Sequence, residues 1–163
     1  MGLYSFYRIS KPSAEKVAKE RIDAEYRTLR NRTFWGTVIA YSLYYVCRMS
    51  LSVVKQPLID EGVLSAGELG VIGSALLFVY AVGKFMNGFI ADYCNIKKFM
   101  ATGLVISAFA NFIMGMLGVW NGVAGIASSL MFVMFAIMWT LNGWSQSMGS
   151  PPAIISLSRW YPL

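Results

Sequence analysis

Residues 69–91 have the sequence LGVIGSALLFVYAVGKFMNGFIA, in which Lys84 is the single charged residue. An α-helix rises about 1.5 Å per residue, so about 20 apolar residues cross the hydrocarbon core of a bilayer. This stretch is long enough for one crossing and too apolar for the surface of a soluble protein. It therefore predicts a transmembrane helix.

Three more apolar stretches of similar length flank it, at residues 34–54, 99–119 and 126–160. Over the whole chain 56% of residues are hydrophobic and 13% are charged, and the mean hydropathy is +0.54. Pro151 and Pro152 interrupt the last stretch, which predicts one kinked helix ending near Arg159, or else a break into two helices. The fold class is thus all-α, a polytopic membrane protein with about four transmembrane helices.

The predicted connections are residues 55–68, 92–98 and 120–125. Ser65 and Glu68 have the spacing of a capping box at the start of the second helix. Small residues recur within the spans, as expected where helices pack closely in a membrane. They are Gly70, Gly73, Gly83, Gly88, Ala108 and Gly115.

Basic residues are concentrated at the N-terminus. Eight of the 14 Lys and Arg residues lie in the first 32 positions, so the net charge of +6 mostly describes this segment and gives no sign of nucleic-acid binding. Lys and Arg stay on the cytoplasmic side of membranes, which predicts a cytoplasmic N-terminus with residues 55–68 and 120–125 outside. We divide the chain into a basic cytoplasmic segment, residues 1–32, and a membrane domain, residues 33–163.

Two cations lie inside the spans, Arg48 in the first helix and Lys84 in the second. A charge at the centre of a bilayer is unfavourable by roughly 2.5 to 3.5 kcal/mol even on insertion scales. None of the four spans contains Asp or Glu. Either the two side chains extend to the headgroups, or they face a water-lined cavity in which the anionic partner is a substrate.

The spacing of the neighbouring residues favours the cavity. Tyr41, Tyr45 and Arg48 share one face of the first helix, because they are separated by four and three residues. Further polar residues follow the same spacing on the second and fourth helices, which predicts polar walls around a pore: Tyr80, Lys84, Asn87, Asn142 and Gln146. Arg and Lys with hydroxyl groups suit a phosphate, although a carboxylate would also fit. Counting from the helix ends, the two cations could be two stations along one path.

The chain contains no histidine, which excludes His-based catalysis and His-based metal sites. We find no catalytic constellation of other residues. The protein is therefore predicted not to be an enzyme and to use neither a cofactor nor a metal ion.

Three motifs, YYVCR at 44–48, YAVGK at 80–84 and GWSQSMGSPP at 143–152, resemble the organophosphate:phosphate antiporters of the major facilitator superfamily. That family exchanges sugar phosphates or glycerol 3-phosphate for inorganic phosphate. The resemblance implies that Arg48 and Lys84 bind the substrate phosphate, and Tyr41, Tyr45 and Tyr80 are expected to support them. Gly88, Asp92, Lys97 and Lys98 resemble the superfamily's loop between helices two and three, which helps to hold the cytoplasmic side closed.

The resemblance also implies that the expected partners are a small phosphoester, inorganic phosphate, the lipid bilayer and the remaining helices of the same transporter. Transporters of this family have twelve helices, and this chain holds about four, so we expect a fragment in the cell (inner or plasma) membrane. The alternative is a membrane sensor of external hexose phosphate, since the family includes such a regulatory relative. A small structural membrane protein would leave the two intramembrane cations unexplained.

Overall fold

The computed structural model describes residues 6–9 and 17–161, and these residues form five α-helices and no strand. The all-α class is thus confirmed. A short 3-10 turn, Lys19–Arg21, leads into the first helix. The helices are α1 Ile22–Asp60, α2 Ala66–Tyr93, α3 Ile96–Ala124, α4 Ser128–Ser147 and α5 Ser150–Trp160.

Three helical segments of the described chain are long and apolar enough to cross a membrane: Lys19–Asp60, Ala66–Tyr93 and Ile96–Val123. The fourth predicted span is not among them. It is divided between α4, with 20 residues, and α5, with 11. Helix α1 runs through the proposed boundary at residue 32 without a break, and the division into two domains stays a prediction.

The break between α4 and α5 lies at Met148 and Gly149, just before the prolines. The Met148 amide turns back to the Ser145 carbonyl, with 3.0 Å between nitrogen and oxygen, and α4 ends there. Pro151 and Pro152 then occupy the first turn of α5, where no intrahelical N–H donor is needed. The prediction of one kinked helix is therefore wrong, and its alternative, a break into two helices, is confirmed.

The connections are shorter than predicted, because α1 continues to Asp60 and α3 to Ala124. The capping box at the start of α2 is confirmed. The Ser65 hydroxyl accepts a hydrogen bond from the Glu68 amide at 3.2 Å, and the Glu68 carboxylate accepts one from the Ser65 amide at 2.8 Å. Helix α3 ends at Gly125, whose φ of 60° is left-handed and favours glycine.

Helix α4 packs mainly on α2 and α3, while α1 lies against α3 and the short helix α5. The start of α1 and the end of α5 meet where the Tyr26 hydroxyl donates a 2.8 Å hydrogen bond to the Trp160 carbonyl. Arg32 and Lys97 line one groove with Trp160, so the α2–α3 turn belongs to the same end of the bundle. We call this the basic end.

The opposite end is held by an apolar cluster to which the end of α1, the loop after it, α2, α3 and α4 all contribute. Its most deeply buried members include Leu64, Ile72, Met131 and Phe135, each at most 2% exposed. Apolar side chains from four helices thus fix the spacing at this end. The centre of the bundle is different, because polar side chains make the contacts there.

A buried hydrogen-bond network joins three helices at the centre. The Gln146 side-chain amide, on α4, donates to the Tyr44 carbonyl of α1 and to the Ser107 hydroxyl of α3, both at 2.9 Å. The Ser107 hydroxyl donates to the Asn142 side-chain oxygen at 2.5 Å. The Asn142 amide in turn lies 3.4 Å from the Cys47 carbonyl. In an apolar phase such bonds hold helices together, because no water replaces a lost partner.

This network corrects the prediction that Asn142 and Gln146 line a pore. Asn142 is fully buried and Gln146 is 5% exposed, and both bond to neighbouring helices. Asn87 was predicted to share a polar face with Lys84, but it is buried against α4 and donates to the Ser147 hydroxyl at 2.6 Å. The spacing correctly predicted that Asn142 and Gln146 share one face of α4 and that Asn87 lies near Lys84 on α2. It did not show that these side chains meet a neighbouring helix.

The backbones of α2 and α4 approach each other closely at Gly143. A Cβ atom there would lie 2.7 Å from the Leu76 carbonyl oxygen and 3.1 Å from the Leu76 Cα, which are backbone atoms that cannot rotate away. Among the glycines that the sequence predicted to support close packing, Gly83 is the one with a close neighbour. A Cβ atom there would meet the side chains of Ser147 and Trp144. The other expected glycines have no atom within 4 Å of such a Cβ. They are Gly70, Gly73, Gly88 and Gly115.

We expect Gly143→Ala to lower the stability of the bundle, because the added methyl group forces α4 away from the backbone of α2. Overpacking of this kind costs about 1 to 3 kcal/mol. The measurement is the thermal unfolding midpoint in detergent. Gly73→Ala is the matched control, since a methyl group there meets nothing within 4 Å and alanine favours a helix. Equal midpoints for the two variants would contradict the close approach.

The burial of the network predicts the reactivity of introduced cysteines. On a background in which Cys47 and Cys94 are replaced by alanine, a hydrophilic maleimide should label Tyr45→Cys readily and Gln146→Cys at least tenfold more slowly. Tyr45 is 45% exposed, whereas Gln146 is 5% exposed. The measurement is the rate at which the maleimide labels each variant in detergent. A Gln146→Cys variant that reacts as fast as Tyr45→Cys would restore the pore-lining assignment.

Candidate functional site

The ring of Tyr80, on α2, lies beside both intramembrane cations. The guanidinium carbon of Arg48, on α1, lies 4.3 Å from the ring centroid, and the ammonium nitrogen of Lys84 lies 5.5 Å from it. Both distances are within cation–π range. The two cations are therefore neighbours of one ring.

The two remaining predicted residues lie one and two turns before Arg48 on α1. The rings of Tyr41 and Tyr45 meet edge to face, with 5.3 Å between centroids and 78° between planes. The Tyr41 hydroxyl also lies near enough to Tyr45 and Tyr80 for an electrostatic interaction with each. The structure thus brings all five predicted binding residues into one cluster between α1 and α2.

The cluster holds two positive charges with no carboxylate beside them. Within residues 6–9 and 17–161, the ion pair that the structure contains joins Arg21 to Glu25 at 2.8 Å. Arg48 is half-buried and Lys84 is exposed. The Tyr80 ring compensates only part of the desolvation of Arg48, because a cation–π contact contributes about 0.5 to 2 kcal/mol. The arrangement can therefore attract and hold an anion.

Gly88 and Asp92 follow Lys84 along the same face of α2. All three line one groove of about 490 Å³, whose other wall includes Ser150 and Pro151 of α5. Asp92 is exposed and Gly88 borders open space. Two of the four predicted gating residues thus lie one and two turns from Lys84, towards the basic end.

The other two predicted gating residues, Lys97 and Lys98, lie on the first turn of α3 and face elsewhere. The Lys98 ammonium donates to the Phe6 carbonyl at 3.0 Å and lies 4.7 Å from the centroid of the Phe6 ring. Lys97 lines surface grooves between α1 and α3 and beside Phe6. The structure therefore separates the acidic and basic members of the predicted gating loop.

Two sets of residues near the site were missed by the sequence reasoning. Ser150 and Pro151 were noted as part of the motif at 143–152 and of a helix break but not as site residues, yet they border the groove beside Lys84. Phe6 and Tyr7 contact the α2–α3 turn. The available signal was two adjacent aromatic residues within a polar N-terminal segment. In the described part of the chain no three His, Cys, Asp or Glu side chains come together as a metal site would require.

Comparison with known proteins agrees with this architecture. Residues 37–163 match the profile of the Major Facilitator Superfamily. The chain is 35% identical over 156 residues to a "Probable hexose phosphate transport protein" of Chlamydia pneumoniae, covering 96% of the chain and 32% of that protein. It is 33% identical over 152 residues to the "Glycerol-3-phosphate transporter" of Bacillus subtilis (strain 168), covering 93% of the chain and 32% of that protein.

A third relative has a different description. The "Membrane sensor protein UhpC" of Escherichia coli (strain K12) is 32% identical over 143 residues, covering 88% of the chain and 30% of the relative. The chain thus spans about a third of the length of these curated relatives. The profile match covers most of the chain, and the helices are those of a multi-pass membrane protein. The chain belongs to the Major Facilitator Superfamily.

Proposed function

We propose that this chain is part of a transporter that exchanges a phosphorylated organic solute for inorganic phosphate. The solute would be a sugar phosphate or glycerol 3-phosphate. One observation carries the proposal: Arg48 and Lys84, without a carboxylate partner in the described chain, share the ring of Tyr80. Two of the relatives above are described as hexose phosphate and glycerol-3-phosphate transport proteins, which supports a phosphate ester as the anion.

Arg48 and Lys84 would bind the phosphate in different ways, because their charged groups differ in shape. The guanidinium of Arg48 offers parallel N–H donors that match two oxygens of a phosphate, whereas the Lys84 ammonium acts as a point charge. The hydroxyls of Tyr41, Tyr45 and Tyr80 would donate to the remaining oxygens. Because the relatives are about three times longer than this chain, the rest of such a transporter has room to supply further ligands.

Lys84 would also connect binding to the basic end of the bundle. It lies exposed on the face of α2 that continues through Gly88 and Asp92, in the groove beside α5. A bound anion would draw the flexible lysine towards Arg48 and away from this groove. Gly88, Asp92, Lys97 and Lys98 would then take part in closing that side during alternating access.

A membrane sensor is the second candidate, favoured by the 32% identity to the sensor protein of Escherichia coli. A sensor would use the same anion site but would not need to release the solute on the other side. Phosphate flux into vesicles that contain the protein in its natural length separates the two functions. Binding without flux would favour the sensor.

We further propose that the N-terminus lies in the cytoplasm of a cell whose inner or plasma membrane holds the protein. Most cations of the described chain gather at the basic end, whereas Lys55 is the cation near the opposite end. Those at the basic end include Arg27, Arg30, Arg32, Lys97, Lys98 and Arg159. Such an asymmetry favours the basic end on the cytoplasmic side.

Replacing Arg48 should weaken binding strongly in the protein of natural length. Removal of one member of a desolvated charge pair costs about 2 to 5 kcal/mol, so Arg48→Ala should raise the dissociation constant for glycerol 3-phosphate or glucose 6-phosphate well over tenfold. Arg48→Lys should also impair binding, because a point charge replaces two parallel hydrogen bonds. Equilibrium binding at fixed ionic strength measures both effects.

The control for this measurement is Arg27→Ala, which removes an exposed cation near the start of α1, about 30 Å along the helix from Arg48. It should leave the dissociation constant unchanged, which separates a local effect from the loss of net charge. Lys84→Ala should weaken binding less than Arg48→Ala, since Lys84 offers a single exposed ammonium group. If Arg48→Ala binds either ester as tightly as the parent, Arg48 is not a phosphate ligand.

The orientation can be tested in intact cells with a thiol reagent that does not cross membranes. A cysteine at Asp60, at the end of α1 opposite the basic end, should react from outside. A cysteine at Tyr93, which is 81% exposed at the α2–α3 turn, should react only after the cells are permeabilised. Native Cys47 and Cys94 are replaced by alanine in both variants. The reverse pattern would overturn the orientation.

A further inference from the structure

The N-terminal residues Phe6 and Tyr7 lie against the turn between α2 and α3. The Tyr7 carbonyl accepts a 2.8 Å hydrogen bond from the amide of Asn95, which precedes α3. The Phe6 carbonyl accepts the 3.0 Å bond from Lys98. Two successive backbone carbonyls of the N-terminal segment therefore bind two positions of one turn, more than 85 residues further along the chain.

The side chain of Tyr7 makes an independent set of contacts with the first two turns of α3, which follow directly. Its hydroxyl donates to the Thr102 hydroxyl at 2.9 Å, and its ring meets Phe99 nearly edge to face, with 6.2 Å between centroids. The Tyr7 ring packs against the buried cluster at the basic end, and the half-buried Cys94 packs against the same cluster. Tyr7 is thus anchored at both its hydroxyl and its ring.

The contact reaches the cap of α3. The Asn95 side chain accepts a 3.2 Å hydrogen bond from the Lys98 amide and so caps the helix, while the Asn95 backbone amide is the donor to Tyr7. The same short segment thus engages the N-cap residue and, through Phe6, the ammonium of Lys98. A shift of the turn would break these bonds together.

We propose that residues 6–9 are a strap that holds the α2–α3 turn in one conformation, and that release of the strap frees the turn and Lys98 to move. The proposed anion site does not depend on the strap, because none of the contacts of the strap involves Arg48, Tyr80 or Lys84. Its consequence for transport rests on the proposed function, because the turn carries the residues proposed to close the basic end.

Hydrogen exchange of the α2–α3 turn tests the strap directly, with the protein of natural length in detergent or nanodiscs. Tyr7→Ala removes the hydrogen bond to Thr102 and two aromatic pairs, one with Phe99 and one with Phe6. Since these contacts hold Tyr7 in place, the amide of Asn95, which donates to the Tyr7 carbonyl, should exchange roughly tenfold faster. Tyr7→Phe keeps the ring and removes only the bond to Thr102, so its effect should be smaller, about two- to fivefold.

Alkylation of Cys94 provides a second readout that does not depend on exchange. Tyr7 and this half-buried thiol pack against the same buried cluster, so the loosened packing in Tyr7→Ala should increase the rate of reaction of Cys94 with a maleimide severalfold. Val17→Ala is the control, because Val17 is a 49% exposed residue of the N-terminal region outside the strap. It should change neither rate.

The outcomes separate the strap from the proposed function. Tyr7→Ala should alter the rate of phosphate exchange in vesicles while the dissociation constant for glycerol 3-phosphate stays within twofold of the parent. If the protein shows no flux at all, hydrogen exchange and Cys94 alkylation still decide whether the strap exists. Unchanged exchange at Asn95 and unchanged alkylation of Cys94 in Tyr7→Ala would overturn the strap, whatever the transport result.

Discussion

The packing of helices at the centre of the bundle depends on the hydrogen bonds of the Gln146 side chain. Its amide donates to Tyr44 on α1 and to Ser107 on α3, both at 2.9 Å, and so fixes α4 against two helices at once. In a helix the Tyr44 carbonyl is also the acceptor for the amide of Arg48, four residues later. The same contact therefore fixes the turn that carries Arg48. A rotation of α1 by one residue, about 100°, would break the bond and turn Arg48 away from Tyr80.

The placement of polar groups divides the bundle into two regions with different chemistry. Between α1, α3 and α4 the polar groups are neutral amides and hydroxyls, which bond to each other and to backbone carbonyls. Between α1 and α2 they are cations and phenols, which have ring contacts but no carboxylate in the described chain. A neutral network can be satisfied internally, whereas two neighbouring cations repel each other. The second region therefore carries positive charge that the described chain does not balance, which is what the proposed anion would supply.

The sequence predicted the features that depend on one segment alone. Length and hydropathy predicted where helices lie, and the local spacing of Ser65 and Glu68 predicted their capping box. Spacing also placed Tyr41, Tyr45 and Arg48 on one face. It could not predict what each face meets, because periodicity describes a helix and not its neighbour. For that reason Asn142 and Gln146 were assigned to a pore, although they bond to α1 and α3. The contact of Tyr7 with Thr102, 95 residues away, has no local signal.

The separation of the charged residues around the α2–α3 turn gives the strap its physical role. Asp92 faces the groove beside α5, whereas Lys98 faces Phe6, so the Lys98 ammonium rests on a neutral carbonyl and a ring. Each of these contacts contributes about 1 kcal/mol at an exposed site, far less than a desolvated ion pair. Contacts of this strength would hold the turn most of the time and would still break during the proposed transport cycle. Opening a buried Asp–Lys pair would be more costly, because it would leave an unpaired charge. Weak contacts would therefore suit a turn that moves in that cycle.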